Sequence, residues 1–338
     1  MNLNQLTTIC KRFNLVAPTN APAKVFGGLL HRMWRADTNN GSYAIKELSS
    51  NIDLKNIAVL NNYELTENIA FRFARQGIPA VSALEQAGKH LVEIEKTFFL
   101  VYPWIDAHAR TNDTLTEKHV VKIAKILAVM HRINLDVPEI EKPQFDTRAT
   151  HSLLELINTA DTLCCPFAQD LRKNQESLIK INNEYHAAIA VLQKQVVVSH
   201  GDLDPKNVLW DKNDNPVLID WEAARKLNPT YEIVNASLDW CGISTNFNQD
   251  LFIKMIATYQ AAGGIISQEA LHAAFYGALG NWINWMVYNI NRACTAQDSE
   301  QKTLGIEQVT QTLSLIIKLQ SIIPDLIIAL EKHKNQES

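Results

Sequence analysis

Cysteine is scarce and odd in number: Cys10, Cys164, Cys165, Cys241 and Cys294, with no CxxC pair. Such a set suits no disulfide framework and indicates reduced thiols in a cytoplasmic protein. Basic charge is not in excess either. Lys and Arg number 32 against 36 Asp and Glu, the formal net charge is −4 and the pI about 6.2. No stretch is strongly basic, which argues against a nucleic-acid partner. The ten histidines contain no HExxH or other paired ligand spacing, so a metal hydrolase is disfavoured. The most apolar stretch, Leu313 to Leu330, is interrupted by Lys318, Gln320, Pro324 and Asp325. It reads as two amphipathic helices rather than a membrane span. The opening MNLNQLTTICKRF lacks the apolar core and cleavage site of a secretory signal. Repeats and low-complexity segments are absent as well. What remains is an ordinary globular composition, 46% hydrophobic and 20% charged over 338 residues, a length that suits two unequal lobes.

Along the chain, Leu3, Leu6, Cys10 and Phe13 recur at helical spacing and predict a short opening helix. Val25 to Lys46 then reads as a β-hairpin with a glycine turn at its start and a polar turn at Thr38 to Ser42. A helix is predicted from about Ile57 to Gln76, ended by Gly77 and Pro79. Two apolar runs follow, Leu91 to Ile94 and Thr97 to Val101. At Tyr102-Pro103-Trp104 the strand pattern stops, since proline cannot continue a ladder. The lobe boundary is placed there, giving a nucleotide-binding lobe over 1–102 and a larger, mainly helical lobe over 103–338. In the second lobe, Val120, Ile123, Leu127 and Met130 mark an amphipathic helix from Thr116 to Arg132. Gln195 to Ser199 is a short buried strand, VLW and VLID form a tight hairpin around DKNDNP, and helices are expected from about Ser237 onward.

The segment VVVSHGDLDPKNVLWDKNDNPVLIDWE concentrates the chemistry. It carries His200, Asp202, Asn207 five residues after that aspartate, and Asp220 at the end of the second hairpin strand. A hydroxyl is a poor nucleophile, so a carboxylate must orient it and accept its proton as a bond to phosphorus forms. A triphosphate arrives with magnesium, a hard cation that takes oxygen ligands. Asn207 and Asp220 offer an amide oxygen and a carboxylate, and a tight hairpin can turn both toward one ion. Asp202 is then the base, with His200 fixing the loop. Taken alone, His-x-Asp would be a solvated surface loop. Joined to a buried strand, a hairpin and an apolar run ending in Asp, it reads as a phosphoryl-transfer site.

The N-terminal pieces agree. Gly27-Gly28 at a turn between strands would let backbone N–H groups approach phosphate oxygens. Ala44-Ile45-Lys46 on the next strand matches the Ala-x-Lys signature whose lysine holds the α and β phosphates. Such a lysine needs a carboxylate from the following helix. Glu67, on the apolar stripe of Leu60, Tyr63, Ala70 and Ala74, is the first candidate and Glu64 the second.

HGDLDPKN followed by LIDWE resembles the aminoglycoside phosphotransferase and choline kinase superfamily, and AKILAVMHRI is similar to a helix of that family ending in Leu-x-x-Leu-His. The resemblance extends from about Val25 to Trp285 and is specific only around the motifs. It implies an α+β, bilobal protein-kinase-like fold with ATP or GTP in its cleft, a hinge at Tyr102 to Trp104 offering backbone groups to the base, and Mg²⁺. Asp204 stands where the family often has histidine and Lys206 where it often has glycine.

A protein kinase is disfavoured: Asp220-Trp221-Glu222 replaces Asp-Phe-Gly, and no Ala-Pro-Glu follows. A catalytically silent pseudokinase is the alternative, although every catalytic position holds a competent residue. The expected activity is transfer of a γ-phosphate to a hydroxyl of a small molecule, an aminoglycoside, choline or other amino alcohol. Asp204 and Glu222 are expected near the acceptor. A cationic acceptor would suit a cradle of Trp221, Trp240 and Trp282 or Trp285 with Glu222, against the plainer reading of those tryptophans as core.

Overall fold

The computed structural model describes residues 1–25, 31–50, 52–140 and 143–337, with side chains through His333. The Gly27-Gly28 turn therefore lies outside the described residues. Helix α1 (Leu3–Arg12) opens the chain, its first turn closed by a capping box between Asn2 and Gln5. Strands β1 (Ala23–Val25), β2 (Arg32–Thr38) and β3 (Gly41–Glu47) follow, then helix α2 (Ile57–Arg75) and strands β4 (Val92–Ile94), β5 (Thr97–Pro103) and β6 (His108–Ala109). Next come α3 (Glu117–Ile133), α4 (Thr150–Thr162), α5 (Ala168–Lys173), α6 (Gln175–Leu192) and β7 (Val197–Ser199). After a 3₁₀ turn at Pro205–Asn207 lie β8 (Val208–Trp210), β9 (Pro216–Leu218), a second 3₁₀ turn at Trp221–Ala223 and β10 (Arg225–Leu227). Helices α7 (Pro229–Trp240), α8 (Gln249–Ala261), α9 (Gln268–Thr295) and α10 (Ser299–Glu337) complete the chain.

The elements form two compact units, one of residues 1–110 with 200–225 and the other of residues 111–199 with 226–338. The segment 200–225, placed in the second lobe by the sequence reading, thus groups with the N-terminal sheet. In the first unit five antiparallel strands run in the order β1-β2-β3-β5-β4. Its register pairs Met33 with Lys46 and Lys46 with Leu100, so Lys46 sits on a central strand. One sheet face closes over α1, burying Leu6, Ile9, Ile45, Phe99 and Val101. The β8–β9 hairpin is tied to the segment after α2. Leu218 donates to Pro79 at 2.7 Å and accepts from Val81 at 3.0 Å.

The second unit is helical. At its centre His131, near the C-terminal end of α3, bridges α7 and α8. Its ring nitrogens lie 2.8 Å from Glu232 Oε2 and 2.8 Å from the Tyr259 hydroxyl, and all three residues are buried. The two helices expected around Leu313 to Leu330 are one, because α10 runs on through Pro324. A proline inside a helix costs about 3 kcal/mol, and the buried stripe Val309, Leu313, Ile316, Leu319, Ile323 and Leu326 offsets that where α10 packs along α9. By length and composition Ser299–His333 is also apolar enough to cross a membrane. Only 28% of its most apolar window is buried, so part of its apolar surface, Ile328 included, stays exposed.

Candidate active site

Within the 200–222 motif, His200, Asp204 and Asn207 make their bonds to the local chain. His200 is fully buried. Its Nδ1 accepts the Asp202 backbone N–H at 3.3 Å, and its Nε2 donates to the Ile219 carbonyl at 3.0 Å. This histidine thus ties the loop carrying Asp202 to the strand end preceding Asp220. Pro205 opens the 3₁₀ turn, Asp204 caps it by accepting the Lys206 N–H at 2.9 Å, and Asn207 arrives buried at its end. The Asn207 amide group donates to the Asp202 carbonyl at 2.8 Å and to Asp202 Oδ2 at 2.9 Å. Across the hairpin, Ile219 N–H donates to the Asn207 carbonyl at 3.0 Å. Asp202, Asn207 and the residue before Asp220 are thereby joined by three hydrogen bonds.

Asp220 has φ 62° and ψ 62°, a left-handed conformation on a residue that has a Cβ. Backbone strain of this kind persists where the surroundings over-determine it, and it concentrates at functional sites. What holds it here is visible on both sides. Trp221 is buried, donates from Nε1 to the Leu218 carbonyl at 3.2 Å and stacks on Phe73 of α2, centroids 5.5 Å apart. On the other side Asp220 Oδ1 receives the Lys46 ammonium at 2.6 Å.

Lys46 is almost fully buried and donates to Glu222 Oε2 as well, at 3.2 Å. Burial disfavours its charge, yet the Asp220 and Glu222 carboxylates outweigh burial and raise its pKa. Neither Glu67 nor Glu64, expected to hold this lysine, does so among the described residues. Glu67 is buried as expected, but it accepts the Tyr102 hydroxyl at 2.5 Å and the Ala83 N–H at 2.6 Å, reaching Lys46 only through its field. Burial raises its pKa above the ordinary carboxylate value. Glu64 accepts the backbone N–H groups of His90 and Leu91 at 2.8 and 3.1 Å. The carboxylates of α2 are thus taken up by backbone N–H groups of the segment before β4 and, for Glu67, by the Tyr102 hydroxyl of β5.

Glu222 was expected beside an acceptor, and in this structure it holds Lys46 together with His31, a residue the sequence reading missed. Ser49 N–H donates to His31 Nδ1 at 3.1 Å, which leaves Nε2 protonated to donate to Glu222 Oε2 at 3.0 Å. The Tyr63 hydroxyl lies 3.3 Å from the same nitrogen. The available signal was a lone imidazole inside the apolar run LLHRMW. Burial raises the Glu222 pKa, but the His31 N–H and the Lys46 ammonium prevail and bring it from 4.5 to about 2. A carboxyl held low in the folded chain contributes stability that is complete above its unfolded value and vanishes as pH falls through the folded one. Glu222→Gln should therefore be less stable than wild type at neutral pH, and the gap should close between about pH 4.5 and 2. Urea midpoints across that range test this, and a gap that stays constant refutes it.

A family model described as the phosphotransferase enzyme family matches residues 27–265. The chain belongs to that family. Among solved structures, a spectinomycin phosphotransferase with ADP and spectinomycin bound is similar at 15% identity and TM-score 0.70, over 95% of this chain and 98% of its own. The choline kinase of Streptococcus pneumoniae is similar at 15% identity and TM-score 0.57, over 92% of this chain and 99% of its own. An ethanolamine kinase of Plasmodium vivax matches at 15% identity and TM-score 0.56, over 86% of this chain and 81% of its own. At these identities the likeness is one of fold, and it is the bilobal α+β kinase-like fold expected. Comparison with curated protein sequences finds no match.

Two further expectations for this phosphotransferase change in detail. At Tyr102 to Trp104, expected to be a hinge, Trp104 N–H donates to the Ser42 carbonyl at 3.0 Å, and Leu48 N–H donates to Phe98 in the same β3–β5 ladder. Bonded pairs alternate in an antiparallel ladder, so Ala44 with Tyr102 is also a bonded pair. The backbone of Tyr102 and the N–H of Trp104 thus face β3. Pro103, in the intervening non-bonded pair, directs its carbonyl outward. As for the tryptophans, Trp221 and Trp240 are each 1% exposed and belong to the core, which removes their faces from any cradle. On α9, Trp282 is half-buried and Trp285 exposed. Trp285 stacks on Tyr288 at 5.5 Å, and the Arg292 guanidinium lies 4.9 Å over the Tyr288 ring.

Proposed function

We propose that the protein transfers the terminal phosphate of ATP, or GTP, to a hydroxyl of a small molecule. The observation that carries this is the linkage of four side chains within the first unit. Lys46 is bonded to Asp220, Asp202 to Asn207, and the hairpin joins the two pairs through the Asn207 to Ile219 hydrogen bond. Lys46 binds the α and β phosphates, and Asp202 orients the acceptor hydroxyl and takes its proton. Asp202 Oδ2 is engaged by Asn207, and no bond to Oδ1 is formed among the described residues, so Oδ1 faces the acceptor.

Magnesium suits Asn207 and Asp220. The amide nitrogen of Asn207 is taken up by Asp202, which turns its oxygen outward, and Asp220 adds a carboxylate. Among the described residues no three His, Cys, Asp or Glu gather as a metal cage. Magnesium is commonly held by one or two protein oxygens and completed by nucleotide phosphates and water. When bound, the ion would neutralise phosphate charge during transfer. The acceptor we favour is an amino alcohol or aminoglycoside-like molecule, supported by the net charge of −4 and by what the similar kinases act on. Five free cysteines support a cytoplasmic setting. A silent nucleotide-binding role has no support, because Lys46, Asp202, Asn207 and Asp220 are all competent for chemistry.

A phosphate-transfer screen over amino alcohols, aminoglycosides and sugars, with ATP and GTP, tests the reading. Transfer to one class is expected. Nucleotide binding with no transfer to any acceptor would return the pseudokinase alternative.

A further inference from the structure

Lys206 stands at the position where the sequence departs from the family pattern, and its surroundings give it a task. Its backbone N–H and its ammonium both bond to Asp204, whose side chain is only 19% exposed. The same ammonium lies 3.5 Å from Asp202 Oδ2, the oxygen that Asn207 also engages at 2.9 Å. A flexible side chain, itself 59% exposed, is thus folded back by a fixed carboxylate so that its charge hovers over one edge of the proposed base. The Oδ1 edge is left for the acceptor hydroxyl.

An incoming terminal phosphate must pass close to Asp202 for its phosphorus to meet that hydroxyl. Carboxylate and phosphate are both anionic, and Lys46 is engaged by Asp220 and Glu222. Among the residues bonded to Asp202, Lys206 is the cation that can turn from one anion to the other without leaving the loop.

We infer that Lys206 is a second phosphate-binding cation, whose ammonium leaves the Asp202 edge to contact the terminal phosphate during transfer. This rests on the reading of Asp202 as the base. Asp204 positions the lysine. The competing account, a surface ion pair that merely braces the 3₁₀ turn, predicts lower thermal stability with no discrimination between nucleotides.

Lys206→Met and Lys206→Arg separate the two. Affinities for ADP and for a non-hydrolysable ATP analogue are measured with magnesium, together with turnover on whichever acceptor is found. Lys206→Met should bind the triphosphate analogue about tenfold more weakly and ADP as wild type does, and turnover should fall about 100-fold. Lys206→Arg should recover most of both. Equal weakening of ADP and analogue, or unchanged affinity for both, overturns the inference, whatever happens to the melting temperature. If the wild type transfers phosphate to no acceptor while analogue binding alone depends on Lys206, the phosphate contact stands and the kinase reading fails.

Discussion

Asp202→Asn should lower kcat by about 10³-fold while leaving the KM for nucleotide within a few-fold of wild type. A positioned general base contributes roughly 10²- to 10⁴-fold, and the structure indicates why the amide cannot substitute. Asn207 donates to the Oδ2 edge at 2.9 Å and Lys206 approaches it at 3.5 Å. Those two donors hold the oxygen of an introduced amide at that edge, so its NH₂ group must take the Oδ1 side. There a hydroxyl acceptor would meet a donor where it needs an acceptor for its proton. The phosphate contact of Lys46 is untouched, since Lys46 pairs with Asp220 and Glu222 rather than with Asp202. Steady-state kinetics with the acceptor from the screen decide it. A kcat within threefold of wild type would remove Asp202 from the chemistry and leave the proposed mechanism without a base.

The motif was legible because its geometry is local. Between Val197 and Glu222 the strand, loop and hairpin follow one another in sequence, and short-range rules of turn chemistry suffice. The bonds from His200 to Asp202 and Ile219, and from Asn207 to Asp202, span at most nineteen residues. What lay further apart was not legible. The apolar stripe of α2 predicts a buried, partnered Glu67, but burial demands a partner without naming it, and Tyr102 and Ala83 take up the carboxylate in place of Lys46. Lys46 found its carboxylates 174 and 176 residues away. The grouping of residues 200–225 with the sheet depends on Leu218 meeting Pro79 and Val81, a pairing that no periodicity announces. At Tyr102 to Trp104, which the family resemblance implies as a hinge, the groups that face outward are set by strand register. Pro324 misled for the opposite reason: a rule about local helix breaking was outweighed by burial along α9.

Gly201 is the residue on which that local geometry turns, and Gly201→Ala should be the costliest single-methyl change in the loop. The glycine has φ +80°, and a Cβ there would stand 2.2 Å from the Ala223 carbonyl oxygen and 3.0 Å from its carbon. The left-handed backbone alone costs an alanine roughly 1–2 kcal/mol. The contact adds more, because its partner is backbone rather than a side chain that could rotate away. A total of about 3 kcal/mol or more is expected. Relief requires the 200–202 loop to move off the 221–223 turn. That movement would pull on the His200 to Ile219 bond and displace Asp202 from Asn207. Stability and catalysis should therefore fall together, with Tm lower by roughly 5 °C and kcat/KM by about 100-fold. Gly77→Ala is the control that separates strain from collision. Gly77 has φ +86° but nothing within 4 Å of a Cβ, so it should lose only the backbone part, roughly 1 kcal/mol, with activity unchanged. If Gly201→Ala behaves like Gly77→Ala in both melting and turnover, the loop is not wedged against Ala223, and the placement of Asp202 is not held from that side.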